Sequence, residues 1–130
     1  AGVLERTVEQ MRSRAPLGDA NEWLAWLGPA IGPQAFEVGS EVRSAFLAEA
    51  TRDEMDATEA AFKVHSEASA RRAGKVFADL YALARLRLAR VSCTAVSGGD
   101  RCTYREEDVF FSYRRDQRTG RMASLIWLAE

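Results

Sequence analysis

The side chains able to do chemistry are few and lie mostly in the second half of the sequence. Phe110-Phe-Ser-Tyr-Arg-Arg-Asp116, with Arg121 just beyond, interleaves aromatic rings with guanidinium groups. Rings of this kind stack on a planar base, and guanidinium groups hold an anion through charge-assisted hydrogen bonds. The same run also reads as an amphipathic hairpin with solvated arginines, and the residues alone leave the two readings level. Cys102 follows Gly98-Gly-Asp-Arg101. That layout sets a thiol on a tight loop beside a guanidinium, a setting that favours the thiolate; a small buried thiol without a role is the competing reading. His65 is the sole histidine, with no suitably spaced cysteine, and reads as a surface or hydrogen-bonded side chain rather than a ligand. Asp53, Glu54, Asp56 and Glu59 crowd four carboxylates together, but their spacing fits no calcium loop, and a solvated surface is expected. Gly28-Pro-Ala-Ile-Gly-Pro33 lacks the Lys-Ser/Thr ending of a phosphate loop and reads as a rigid wall.

The elements that must position these groups follow from periodicity. Val3, Leu4, Val8 and Met11 share one face of a helix over 3–14, with Arg12 and Arg14 in its last turn where they complement the dipole. That helix has no N-cap residue before it, so the sequence reads as a cut through a larger protein. A loop over 16–19 precedes a buried strand at 23–27, closed by Gly28-Pro29 and Gly32-Pro33. A short strand at 36–38 and a helix capped by Ser40, with Val42, Ala45, Phe46 and Ala50 as its stripe, come next. Residues 70–91 read as one long packing helix, through Ala73, Val76, Phe77, Leu80, Leu83, Ala84, Leu88 and Val91. Arg87 falls near that stripe, where it snorkels or pairs with an acid. Beyond it the period becomes two: a strand at 91–96, a turn at 97–100, and an antiparallel pair at 109–114 and 122–128 joined around Thr119-Gly120. Both faces of the last strand are apolar, as in a central strand covered on both sides.

Composition bounds the class. The 130 residues make one domain with a real core; 47% are hydrophobic and 28% charged, which excludes disorder and fibrous classes. No apolar run approaches the ~18 to 20 residues of a transmembrane helix, and the opening lacks the layout of a secretion signal, so a cytoplasmic location is expected. Two cysteines and one histidine suit neither a disulfide scaffold nor a multi-histidine metal cage. The formal charge of −1 conceals −6 over 1–60 and +5 over 61–130, making the second half the one suited to anions. Of the 18 basic residues all but Lys63 and Lys75 are arginine, beside 22 alanines, a pattern of compositional bias as much as of anion recognition. Bulk nucleic-acid binding wants a far more basic domain.

Taken together, Trp26-Leu-Gly-Pro-Ala-Ile-Gly-Pro33, Phe36-Glu-Val-Gly39, Gly98-Gly-Asp-Arg-Cys-Thr-Tyr104, Phe110-Phe-Ser-Tyr-Arg-Arg-Asp116, Thr119-Gly-Arg-Met-Ala123 and Ile126-Trp-Leu128 resemble the YfiH family. Its members are also called laccase-domain or multicopper polyphenol oxidase-like proteins and peptidoglycan editing factors. The resemblance runs through nearly the whole chain in one order. It implies an α/β fold, a three-layer mixed sandwich of the YfiH-like type, of which 1–130 is the C-terminal portion. It further implies a zinc-dependent purine nucleoside phosphorylase that also deaminates adenosine and cleaves methylthioadenosine, with copper in an older phenol oxidase assignment. The family's metal is held by two histidines and a cysteine, the last ligand in a His-Ala-Gly-Trp-Arg-Gly stretch that this sequence lacks, so neither His65 nor Cys93 matches a ligand. No metal ligand and no catalytic residue is therefore expected in this chain, nor a metal bound by it alone. Arg101, Cys102, Ser112, Arg114, Arg115 and Arg121 are the candidates for contact with purine nucleoside or phosphate. The partners implied are the N-terminal half of the fold and, for the segment by itself, further copies. A non-catalytic packing or interaction module stays open as the alternative.

Overall fold

A computed structural model describes residues 2–14, 23–64 and 74–127. The expected loop at 16–19, His65, the first residues of the predicted long helix and Leu128 lie outside them.

The first helix, α1 (Val3–Arg14), runs as its periodicity predicts and ends on Arg12 and Arg14. Of its expected apolar face only Val8 is buried, whereas Val3 is 74% and Met11 51% exposed. Strand β1 (Leu24–Leu27) pairs in parallel with β5 (Ala95–Gly98), Leu24 opposite Ala95 and Leu27 opposite Gly98. Gly98 has φ +73°, and a Cβ there would come within 2.5 Å of the Leu27 carbonyl oxygen, so this end of the register admits only glycine. A second, antiparallel sheet has the order β2 (Glu37–Gly39), β4 (Lys75–Ala78), β3 (Phe62–Lys63). Helix α2 (Ser40–Ala48) follows β2 directly. A 3₁₀ turn (Arg52–Glu54) leads into α3 (Met55–Ala60).

Helix α4 (Leu80–Arg90) is the shared spine. Its Leu83 joins Val38, Ala61, Phe62 and Ala78 in one core cluster, and its Leu88 joins Val8 and Cys93 in the other. Arg87 spans the seam, pairing with Glu5 (3.4 Å) and Glu49 (3.0 Å) while its guanidinium lies over the Phe46 ring, as its place near the stripe led one to expect.

Several sequence expectations are corrected. The predicted helix over 70–91 is a strand followed by a helix: Asp79 accepts a hydrogen bond from the Ala82 amide (3.0 Å) and starts α4, leaving Lys75–Ala78 to pair on both sides as β4. Val76, Phe77 and Leu80 fit a period of 3.6, yet Ala78 is 1% exposed in the sheet, and ladder pairing wins over local spacing. Gly39, not Ser40, is the N-cap of α2. The expected strand at 91–96 begins only at Ala95, because Ser92 (φ 56°) and the Cys93 amide, bonded to the Leu88 carbonyl (3.0 Å), still close α4. Ser97 and Gly98 belong to β5, the Gly99 amide still bonds the Leu27 carbonyl (2.9 Å), and the turn falls later, at 103–105. The acidic stretch is not simply solvated, since Glu54 is held by Arg90 (2.6 Å) and Glu59 pairs with Arg43. In place of the C-terminal hairpin stands a one-turn helix, α5 (Tyr113–Asp116), and 121–127 carry no ladder among the described residues. The mixed α/β class stands.

Candidate functional site

The loop after β1 is fixed by three attachments. Ala30 bridges Cys102, with the Thr103 amide on the Ala30 carbonyl (2.9 Å). The buried Gly32 donates its amide to the Cys102 sulfur (3.2 Å), and a Cβ on Gly32 would press to 3.1 Å from that sulfur. Tyr81, near the start of α4 and 7% exposed, accepts from the Ala30 amide (2.7 Å) and donates to the Arg101 carbonyl (2.7 Å). Burial pushes the Tyr81 phenol above its ordinary pKa, so it remains a donor. The wall expected at 28–33 is therefore a loop locked to 101–103 through a tyrosine that sequence reading missed. A polar tip two residues past the N-capping Asp79 was the available signal.

Segment 101–116 is folded on itself by charge. Arg101 grips Glu106 (2.7 Å from Nε, 2.6 Å from Nη2) and covers the Phe110 ring at 5.1 Å, while Glu106 accepts the Cys102 amide (2.6 Å). The pairing lowers the Glu106 pKa and raises that of Arg101. Arg115 forms a fork on Asp116 (2.8 and 2.9 Å) and donates to the carbonyls of Thr103 (2.9 Å), Tyr104 (3.0 Å) and Phe110 (3.0 Å). The same ion pair lowers the Asp116 pKa. Arg101 is thus paired with a carboxylate, and Arg115 with a carboxylate and three backbone carbonyls.

Arg114 differs. Its Nη1 donates to the Glu37 carbonyl (2.8 Å) and its plane lies 5.3 Å over the Phe36 ring; among the described residues it forms no ion pair. It borders an open cleft of about 330 Å³ together with Ile31, Phe36, Phe111, Tyr113 and Met122, with Ser112 and Thr103 in the lining. Of the six sequence candidates, Ser112 and Arg114 reach this cleft. Cys102 sits behind the loop, Arg101 and Arg115 are structural pairs, and Arg121, bonded to its neighbour's carbonyl (3.3 Å), lies exposed outside it. Phe36 and Met122 are cleft residues that the sequence did not single out.

Among the described residues the donor set does not fit a metal cage. Cys93 is buried, with its thiol directed to the Trp23 carbonyl (3.7 Å), and the Cys102 sulfur accepts from Gly32. No group of three His, Cys, Asp or Glu converges among the described residues. Nor does any helix among them have the length and apolarity to cross a membrane.

Comparison with known proteins places this geometry. Escherichia coli purine nucleoside phosphorylase YfiH is 54% identical over 129 residues, covering 98% of this chain and 46% of the relative. A purine nucleoside phosphorylase of Pseudomonas aeruginosa is 47% identical over 135 residues, 100% of this chain and 48% of that protein. The chain thus spans about half the length of these curated relatives. A crystal structure of a Neisseria meningitidis protein matches with TM-score 0.69 at 44% identity, over 88% of this chain and 41% of that one. YlmD from Geobacillus stearothermophilus matches with TM-score 0.66 at 24% identity, over 89% and 40%, a likeness of fold alone. The model of the family described as multi-copper polyphenol oxidoreductase laccase matches residues 1–129, and the chain belongs to that family.

Proposed function

We propose that this chain is part of a cytoplasmic purine nucleoside phosphorylase, acting on inosine, adenosine, guanosine and methylthioadenosine and also deaminating adenosine. The observation that carries the reading is the 54% identity, over 98% of the chain, to a relative named for that activity. Phosphorolysis breaks the glycosidic bond, joins a phosphate oxygen to C1′ of the ribose, and releases the purine with a proton on its nitrogen. Such a reaction needs an aromatic and cationic enclosure for the nucleoside and an anion, and groups that stabilise charge as it develops. The cleft of Phe36, Phe111, Tyr113 and Arg114 offers walls of that chemistry. Zinc is assigned to ligands outside this segment, because the cysteines here are engaged with backbone and no third donor joins them among the described residues. Copper, from the older assignment, would meet the same obstacle in this chain.

The test is loss of inosine by the intact protein as expressed from its gene, followed by chromatography with and without inorganic phosphate. Hypoxanthine release that requires phosphate is expected. Phenol oxidation without phosphate-dependent release would overturn the reading.

A further inference from the structure

Resting on that reading, we propose that the Arg114 cleft holds the purine ring of the nucleoside, not the phosphate. Three observations converge. First, the cleft offers flat apolar surface: Phe111 is 53% and Tyr113 63% exposed, both at its rim. Aromatic rings presented this way are stacking platforms for a base. Second, Phe111 is a backed platform. Gly120 lies so close that a Cβ there would stand 2.7 Å from Phe111 Cε2, so one side of the ring is supported while the rest stays open. Third, Arg114 is set for a ring edge. One N–H is spent on the Glu37 carbonyl and its plane rests over Phe36, which fixes the guanidinium in a plane. The remaining donors suit a carbonyl or ring nitrogen acceptor. A phosphate dianion needs several convergent charged donors, and besides Arg114 the lining offers only neutral hydroxyls, those of Thr103 and Ser112, both buried, and of Tyr113 at the rim. Arg101 and Arg115 are not in the lining and are paired with Glu106 and Asp116.

The test uses the intact protein with Phe111→Leu, Arg114→Lys and Arg114→Ala, and two readouts. In steady-state phosphorolysis, KM for inosine and KM for phosphate are measured separately. By titration calorimetry, the free base hypoxanthine is bound without turnover. Phe111→Leu and Arg114→Lys each raise the inosine KM and the hypoxanthine Kd by about fivefold to a hundredfold, with the phosphate KM and kcat changed less than about twofold. A rise in phosphate KM with hypoxanthine binding intact would overturn the assignment, as would no change in either. If the parent protein binds hypoxanthine through these side chains but shows no phosphorolysis, the cleft assignment stands and the phosphorylase reading falls; if hypoxanthine does not bind the parent, the cleft assignment falls. Arg114→Lys keeps the charge but not the planar fork, Arg114→Ala removes both and is expected to weaken hypoxanthine binding at least as much, and unchanged thermal midpoints for all three variants confirm that contact and not fold was lost.

Discussion

Adjacent in sequence, Arg114 and Arg115 have opposite duties. Arg115 ties Asp116 and the carbonyls of Thr103, Tyr104 and Phe110 into one knot, so removing it strands three acceptors and a carboxylate together. Arg115→Ala is expected to lower the thermal midpoint clearly, while Arg114→Ala leaves it nearly unchanged; equal falls in a melting experiment would contradict the division. Tyr81 makes a sharper case because it is buried. Tyr81→Phe keeps the ring but leaves the Ala30 amide and the Arg101 carbonyl without their partner, at a cost of about 1 to 3 kcal/mol. Urea unfolding measures that loss, and a midpoint equal to the parent's would show that the phenol does not lock the two loops. Gly99 belongs to the same lock: at φ +81°, a Cβ there would come 2.9 Å from Tyr81 Cδ1.

At the scale of elements, the ends of helices decide the boundaries. Asp79→Ala removes the side chain that accepts the Ala82 amide and should cost about 1 kcal/mol, read from the same unfolding curves. The 3₁₀ turn before α3 is held by Glu54, whose carboxyl also takes the Thr51 amide (3.3 Å). The Arg90 guanidinium bonded to it drives its pKa from 4.5 down to about 2. The folded protein therefore binds this proton more weakly than the unfolded chain. The stability it confers is complete above about pH 4.5 and is lost as pH falls toward about 2. Glu54→Gln should flatten the acid limb of a stability-against-pH curve; an unchanged limb would deny the pair its role. Local signals made α1, β1 and β2 legible as elements, since each carries its own periodicity or punctuation, but β1 is not the buried strand expected, with Leu24 64% and Trp26 40% exposed. They failed at 75–78, where Val76 and Phe77 satisfy helix and strand alike and only pairing with distant β2 and β3 decides. They failed at 109–128 for a related reason: alternation foretells extended backbone, but a ladder needs a partner, and α5 forms where the Ser112 carbonyl receives the Arg115 and Asp116 amides. Of the candidate site, the aromatic and arginine run was legible by composition. Which arginine faces the cleft was not, because that depends on Asp116, Glu106 and Phe36 meeting in space.

Over the whole molecule, apolar surface is displayed in quantity. Leu24, Leu125, Ile126 and Trp127 stand between 64% and 79% exposed, the last three in the stretch 121–127, which carries no helix or strand. Exposed apolar side chains clustered in sequence, as at 125–127, drive association. Residues 1–130 studied by themselves should therefore self-associate, and Leu125→Ser with Trp127→Ser should reduce this in light scattering; a monodisperse monomer from the unchanged segment would contradict it. The curated relatives are about twice this length, and on the function proposed above the other half of such a fold covers the same surface. Phosphorolysis by the intact protein is read by phosphorus NMR of a mixture with inosine and inorganic phosphate. One sugar phosphate ester is expected for each hypoxanthine released; hypoxanthine appearing without the ester, or neither product appearing, would contradict the phosphorylase reading.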